Sequence, residues 1–165
     1  VSVRSGIGYD SHRLVTGRRL VLGGIELSSE RGLDGHSDAD ALAHALIDAL
    51  LGAAGLGDIG QHFPDSDERY RAADSLVLLA DAVGLVRAAG FEPVNVDATV
   101  VMERPKLGDA RLAMRARLAE VLGIALADVN IKASTGEGIG FVGREEGVAV
   151  IAIATLRGGR AGEVG

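Results

Sequence analysis

Residues 148–155, Val148-Ala-Val-Ile-Ala-Ile-Ala-Thr155, decide the fold. A strand with one wet face alternates apolar and polar residues, whereas here every position before Thr155 is apolar, so both faces require burial. The run is far shorter than the ~20 residues that cross a bilayer, so its cover must be protein. One cover is legible in Ser37–Ala54, where Ala39, Leu42, Ala43, Leu46, Ile47, Leu50 and Leu51 form one stripe of a helical period. Ser37 and Asp40 read as a capping box at its start, and His44 and Asp48 fall on the opposite face. Further helices are predicted from about Ala73 to Ala89, stopped by Gly90, and from Leu107 to Leu122, stopped by Gly123. Three helices cover one side of a sheet; a homo-oligomer would cover the other.

Outward from this core, strands are predicted at Val1–Gly8, Arg19–Leu27, Val94–Met102, Val129–Ala133 and Val148–Leu156. The Gly23-Gly24 pair inside the second reads as a bulge. A polar loop carrying Asp10 and His12 joins the first two strands, and Asp58–Asp67 is irregular. A glycine-rich loop over 134–147 reads as the connection of a terminal hairpin. This order mixes crossovers with a hairpin and predicts an α+β fold, a mixed β-sheet with helices packed on one face. No repeat, linker or low-complexity segment appears, so residues 1–165 read as one catalytic-sized domain with a core of about 3–156 and a short C-terminal tail.

Composition excludes several functions. A formal net charge of −6 and the lack of any basic block argue against nucleic acid or an anionic membrane as partner. With 24 Gly, no Trp, two Tyr and three Phe, the chain favours tight turns over base-stacking surfaces. Zero Cys removes disulfides, thiolate metal sites and thiol nucleophiles, so a bound metal must be held by His and carboxylates. The two lysines, Lys106 and Lys132, fall in segments of interest below. Residues 1–30 lack a charged start followed by an apolar stretch, which predicts a cytoplasmic protein.

Four constellations could carry chemistry. Asp10 and His12, two apart in extended backbone, point the same way, and His44 offers a third ligand. Two imidazoles and one carboxylate suit Zn²⁺ with a fourth position left open; the same residues also read as a loop hydrogen bond and a solvated helix histidine. Gly35-His36-Ser37-Asp38 could hold an anion at a helix start, or simply cap it. Lys132-Ala-Ser134-Thr135-Gly136-Glu137, continuing to Phe141 and Arg144, offers hydroxyls, a carboxylate and flexible backbone for a diphosphate with a hard cation, or serves as a polar connection. It is not a P-loop, because GxxxxGK[ST] is missing. Asp58–Asp67 could hold a polyol or cap the next helix.

The joint order of these motifs is specific. Gly-x-Gly-x-Asp-x-His, then Asp-Gly-His-Ser-Asp-Ala-Asp-x-Leu-x-His, then Gly-Asp-Ile-Gly-x-x-Phe-Pro-Asp, then Arg-Pro-Lys, then Ser-Thr-x-Glu with Gly-Phe-x-Gly-Arg, resembles the 2-C-methyl-D-erythritol 2,4-cyclodiphosphate synthase family of the non-mevalonate isoprenoid pathway. The resemblance spans about Val3–Leu156. It implies a lyase, a homotrimer in which sheet faces meet, and active sites shared between subunits. The implied reaction converts 4-diphosphocytidyl-2-C-methyl-D-erythritol 2-phosphate to the cyclic diphosphate with release of CMP.

The resemblance also implies residue roles. Asp10, His12 and His44 would hold one zinc ion per chain, and Glu137 would reach a second divalent cation, Mg²⁺ or Mn²⁺. His36 and Ser37 would meet the erythritol phosphate, and Asp10, Ser11 and His12 would also contact the substrate. Asp58, Ile59, Gly60, Phe63, Pro64, Asp65, Ser66 and Asp67 would line the methylerythritol pocket. Met102, Glu103, Arg104, Pro105, Lys106, Leu107 and Gly108 would enclose the cytosine. Ser134, Thr135, Gly136 and Glu137 would hold the diphosphate, Thr135 and His36 would steady the transition state, and Phe141 and Arg144 complete the pattern. Ser134, Gly136 and Tyr9 depart from the family pattern, which touches only affinity and loop rigidity. Two other classes remain open on sequence: a zinc-dependent phosphoester hydrolase, and a non-catalytic trimeric ligand-binding protein.

Overall fold

Two long strands carry the architecture. In the computed structural model, which describes residues 2–158, β1 (Ser2–Thr16) and β7 (Gly147–Gly158) pair antiparallel from Ser2 opposite Gly158 to Arg13 opposite Gly147. They are adjacent strands in a five-stranded sheet of order β4-β1-β7-β5-β6, with β4 at Arg31–Asp34, β5 at Phe91–Val101 and β6 at Val129–Ser134. β5 and β6 run parallel and the other neighbours antiparallel, so the sheet is mixed as expected. A separate two-stranded hairpin joins β2 (Leu20–Leu22) to β3 (Ile25–Leu27). The tail expected beyond residue 156 continues as strand to Gly158 and then lies outside the described residues.

The long apolar helix, α1 (Ala41–Ala54), crosses β1 and β7 on one face of the sheet. Small residues let it approach. β1 presents Gly6 and Gly8 to the helix, opposite Ala154 and Ala152 of β7, and α1 answers with Ala45, Ala49 and Ala53. A Cβ on Gly8 would stand 1.8 Å from the Ala45 carbonyl oxygen, and one on Gly6 would stand 2.1 Å from that of Ala49. α1 is buried nearly all round, and His44 and Asp48 form its half-buried edge instead of a solvated face. A short α2 (Ile59–His62) follows within the stretch expected to be irregular, then α3 (Ser75–Ala88) packs on α1. α4 (Ala110–Leu122) lies against α3 and β6 and provides the crossover between the parallel strands.

The second face of the sheet stays open in one chain. Ile153 and Ile151 stand opposite Ile7 and Tyr9, and all four are exposed, Ile7 at 69% and Ile153 at 46%. The sequence reading of β7 as a strand with two apolar faces therefore holds, and helices bury only one of them.

Four local expectations change. Asp10 and His12 lie on β1 itself, because β7 offers partners as far as Arg13 and β4 pairs with Arg13–Thr16. Gly23-Gly24 is the two-residue turn of the β2–β3 hairpin; φ values of 60° and 74° at its two central positions match the twist that tight hairpins need. Ser37 does not cap α1: Ser37 and Ala39 are left-handed, and Asp40 takes the cap, accepting from Ala43 N–H at 3.0 Å. No terminal hairpin forms, because β5 lies between β6 and β7 and the glycine loop crosses over it through α5 (Gly140–Gly143).

Asp40 joins the helix start to the hairpin. Its fully buried carboxylate accepts from Gly23 N–H at 2.9 Å and Gly24 N–H at 2.8 Å as well as from Ala43. Burial pushes this carboxyl up to about 6, against the pull of the three N–H donors, and the nearby Asp38 adds to the rise.

The helix–sheet contact yields a paired expectation. Gly8→Ala forces a Cβ into helix backbone and should lower stability by about 3 kcal/mol, the upper part of the overpacking range. Gly84→Ala, in an exposed turn of α3 with nothing within 4 Å, should raise it by about 0.5–1 kcal/mol. Denaturant midpoints at constant slope check both signs.

Candidate functional site

Past Gly6 and Gly8 on the same face of β1 come Asp10 and His12, and α1 brings His44 alongside them. Strand alternation thus converts a packing surface into a ligand surface two residues further along. His12 Nε2 lies 2.8 Å from Asp10 Oδ2, His44 Nδ1 lies 3.1 Å from the same oxygen, and the two ring nitrogens are 3.4 Å apart. One ligand atom from each of the three half-buried residues lies within 4.8 Å of the others. Burial pushes the Asp10 carboxyl up, but the hydrogen bonds and charges of His12 and His44 outweigh it and leave Asp10 below its ordinary value. Burial pushes His12 down, but its bond to Asp10, the charge of that carboxylate and the bond to the Asp34 carbonyl, with a smaller pull from Asp40, together outweigh it and leave His12 above its ordinary value. Two imidazoles and a carboxylate crowded this closely fit a tetrahedral, borderline cation with an open position.

Each histidine is held from behind. His12 Nδ1–H donates to the Asp34 carbonyl of β4 at 2.8 Å, and its ring lies so close to Gly35 that a Cβ there would meet Nδ1 at 2.5 Å. His44 Nε2 lies 2.9 Å from Ser75 Oγ and 3.3 Å from Ser37 Oγ. Asp34 and Ser75 were not singled out in the sequence, since a backbone carbonyl and a helix-start serine carry no motif.

The ligands form part of a cavity of about 300 Å³, together with His36, Ser37, Asp48, Ile59, Gly60, Phe63, Pro64, Asp65, Tyr70 and Leu78. Asp48, also not anticipated as a wall residue, accepts from Ile59 N–H at 2.8 Å and so pins α2 to α1. Phe63 meets the edge of Tyr70 with ring centres 5.4 Å apart. His36 Nδ1 lies 3.8 Å from Asp65 Oδ1. Three residues of the same stretch serve local structure: Asp58 caps α2 through Gln61 N–H, Asp67 caps the turn at 68–70 and pairs with Arg69, and Ser66 is exposed between them.

A second cavity, about 220 Å³, is lined by Val100, Met102, Pro105, Lys106, Leu107, Arg111, Ala133, Ser134 and Thr135. It shares no residue with the first. Glu103 lies outside it and accepts from Gly136 N–H, while Arg104 forms a two-pronged pair with Glu145 at 2.7 Å for each contact. Gly108 has open space around it. Thr135 Oγ1 accepts from the Glu137 N–H at 3.2 Å, Glu137 is left-handed with φ 53°, and Arg144 pairs with Glu146. Phe141, Ser11 and His12 border a separate shallow cleft. Lys132 is committed to Asp97 at 2.6 Å.

The comparisons agree on one family. The profile of the YgbB family matches residues 3–157. A 2-C-methyl-D-erythritol 2,4-cyclodiphosphate synthase of Symbiobacterium thermophilum is 60% identical over 93% of this chain and 98% of its own. A solved 2C-methyl-D-erythritol-2,4-cyclodiphosphate synthase in a CDP-bound form superposes with a TM-score of 0.86 at 40% identity, covering 93% of this chain and all of that one. The bifunctional IspDF of Campylobacter jejuni superposes at 0.92 with 43% identity over 96% of this chain, which spans 43% of that longer protein. Neither the hydrolase nor the ligand-binding alternative gains support from these matches. The chain belongs to the YgbB family and, within it, to the 2-C-methyl-D-erythritol 2,4-cyclodiphosphate synthases.

Proposed function

We propose that the chain converts 4-diphosphocytidyl-2-C-methyl-D-erythritol 2-phosphate to 2-C-methyl-D-erythritol 2,4-cyclodiphosphate and CMP. The convergence of Asp10, His12 and His44 in a cavity shared with His36 and Ser37 carries the reading, in a chain of this family. An oxygen of the 2-phosphate attacks the β-phosphorus. The bond from that phosphorus to the oxygen bridging the α-phosphorus breaks, and CMP leaves with the electron pair. The nucleophile is already anionic near neutral pH, so no strong base is needed, and the work lies in positioning and in offsetting charge.

A zinc ion held by Asp10, His12 and His44, with Mg²⁺ or Mn²⁺ at Glu137, would supply Lewis-acid neutralisation of the diphosphate oxygens. His36 and Ser37 hold the 2-phosphate beside those ligands. Ile59, Gly60, Phe63, Pro64 and Asp65 bracket the methylerythritol, supported by Asp58, Ser66 and Asp67. Met102, Pro105, Lys106 and Leu107 take the cytosine against a wall braced by Glu103, Arg104 and Gly108. Ser134, Thr135 and Gly136 present the hydroxyls and backbone that grip the diphosphate, with Phe141, Arg144 and Ser11 closing the rim.

Two separate cavities in one chain argue for sites completed by a neighbour, and the exposed Ile7, Tyr9, Ile151 and Ile153 supply the apolar face for a homotrimer. The reading includes a cytoplasmic enzyme; no helix among the described residues is long and apolar enough to cross a membrane.

Incubation of the chain with the cytidylyl substrate and both cations should give cyclic diphosphate and CMP in equal amounts by mass spectrometry and phosphorus NMR. Inorganic phosphate or an open-chain product in their place would overturn the cyclase reading in favour of hydrolysis.

Glu137→Gln keeps the side-chain size but offers a hard cation a neutral oxygen. The Mg²⁺ needed for half-maximal turnover should rise roughly 10-fold while zinc content stays at the parental level. Loss of zinc with an unchanged Mg²⁺ response would reverse the two roles.

Mixed subunits test the shared site. His44→Ala and Thr135→Val chains, each inactive, are refolded together in equal amounts. Random mixing makes about three quarters of trimers hybrid, each with one intact site in three, so roughly one quarter of parental activity should return. No recovery in trimers shown by mass to be hybrid would place each site within a single chain.

A further inference from the structure

Ser75, the first residue of α3, has a completely buried hydroxyl caught between two groups. Its oxygen lies 2.9 Å from His44 Nε2 and makes a short hydrogen bond with Asp38 Oδ1, while its own N–H donates to Asp38 Oδ2 at 3.0 Å. Proton accounting leaves one arrangement. A carboxylate can only accept, so the single Ser75 O–H points at Asp38. With that proton committed, Ser75 turns a lone pair toward His44, and His44 must carry its proton on Nε2. A proton on Nδ1 instead would set two lone pairs against each other at 2.9 Å.

With the Nε2 proton on the Ser75 side, the nitrogen of His44 that a cation would take is Nδ1, the one that faces Asp10 Oδ2 and His12 Nε2. His12 is arranged the same way from the other side, because its Nδ1–H is spent on the Asp34 carbonyl and Nε2 is the nitrogen turned toward Asp10 and His44. The Ser37 hydroxyl, 3.2 Å from Ser75 Oγ, fits this pattern by donating to the second lone pair of that oxygen. Neither Asp38 nor Ser75 lines the first cavity, and Ser75 reaches it through His44 and Ser37.

We propose that Ser75 is a positioning residue of the metal centre: anchored by Asp38, it fixes the ring orientation and the Nε2–H form of His44, and so presents Nδ1 to the cation. The inference rests on the zinc reading above and deepens it. Donation from Nε2–H to a hydroxyl that is itself bound to a carboxylate also leaves Nδ1 richer in electrons and a better ligand. The relay ties the start of α3 to a ligand on α1, so that register between the two helices sets the geometry of the centre.

The test reads the tautomer first. In long-range proton–nitrogen NMR spectra of the full chain freed of metal at pH 8, His44 should show a protonated Nε2. A bare Nε2 in the parent overturns the proposal. In Ser75→Ala, His44 should become a mixture of tautomers while His12, held by Asp34, keeps its proton on Nδ1. Zinc affinity by chelator competition should fall about 10- to 100-fold. Affinity within threefold of the parent, or an unmixed His44, overturns the proposal. Should that variant not fold, Asp38→Asn takes its place, since an amide no longer dictates the direction of the Ser75 proton; a folded Asp38→Asn chain with His44 still fixed also overturns it. A parent that binds no zinc overturns the metal reading and the purpose assigned to Ser75, an outcome told apart from failure of the relay because the spectra are recorded without metal.

Discussion

The close approach of α1 to β1 is the constraint on which the other features depend. Side chains usually keep helix backbone clear of the sheet beneath it, but here Gly6 and Gly8 let helix backbone reach strand backbone. The same strand face then offers Asp10 and His12, and the same helix offers His44, at a separation short enough for all three to share one ion. Were the helix lifted by the width of a methyl group, the carboxylate and the two imidazoles would still be present but no longer converge. Packing and ligation are two readings of one strand.

The partners around this contact explain how a carboxylate and two imidazoles are tolerated in a half-buried pocket. Every polar group behind the ligands has a defined partner: Asp34 behind His12, Ser75 behind His44, and Asp48 holding α2. Buried polar networks are stable only when each member is satisfied, and among the described residues no buried side-chain nitrogen or oxygen lacks a partner. Asp40 extends the principle to the scaffold, since three backbone donors from two separate elements meet on one carboxylate.

Much of this was legible in the sequence. The doubly apolar β7, the apolar helix and the i, i+2 spacing of Asp10 and His12 are periodic signals, and periodicity reports which way a side chain points. The joint order of motifs gave the family because several weak patterns multiplied. What failed were local readings that depend on partners distant in sequence. Asp10 and His12 were expected in a loop because their own residues are polar, while the strand is dictated by β7 more than 130 residues away. Ser37 was expected to cap α1 because serine favours that position, but Asp40 wins by serving the Gly23-Gly24 turn at the same time. The hairpin expected between β6 and β7 is displaced by β5, which the order of strands along the chain does not reveal. Ser75 and Asp34 had no signal at all, since their importance lies in what they touch.

The braces around the second cavity have a consequence for how a flexible loop meets a ligand. Glu103 grips the start of the glycine loop at Gly136, and Arg104 grips its far end at Glu145, so two neighbouring residues of one segment span a loop that is rich in glycine. A free loop of that composition would lose much conformational entropy on closing around a ligand. Clamped at both ends by adjacent side chains, it has lost much of that freedom before any ligand arrives. The two segments thereby become a single mechanical part, and a change in the length of either one must be matched by the other.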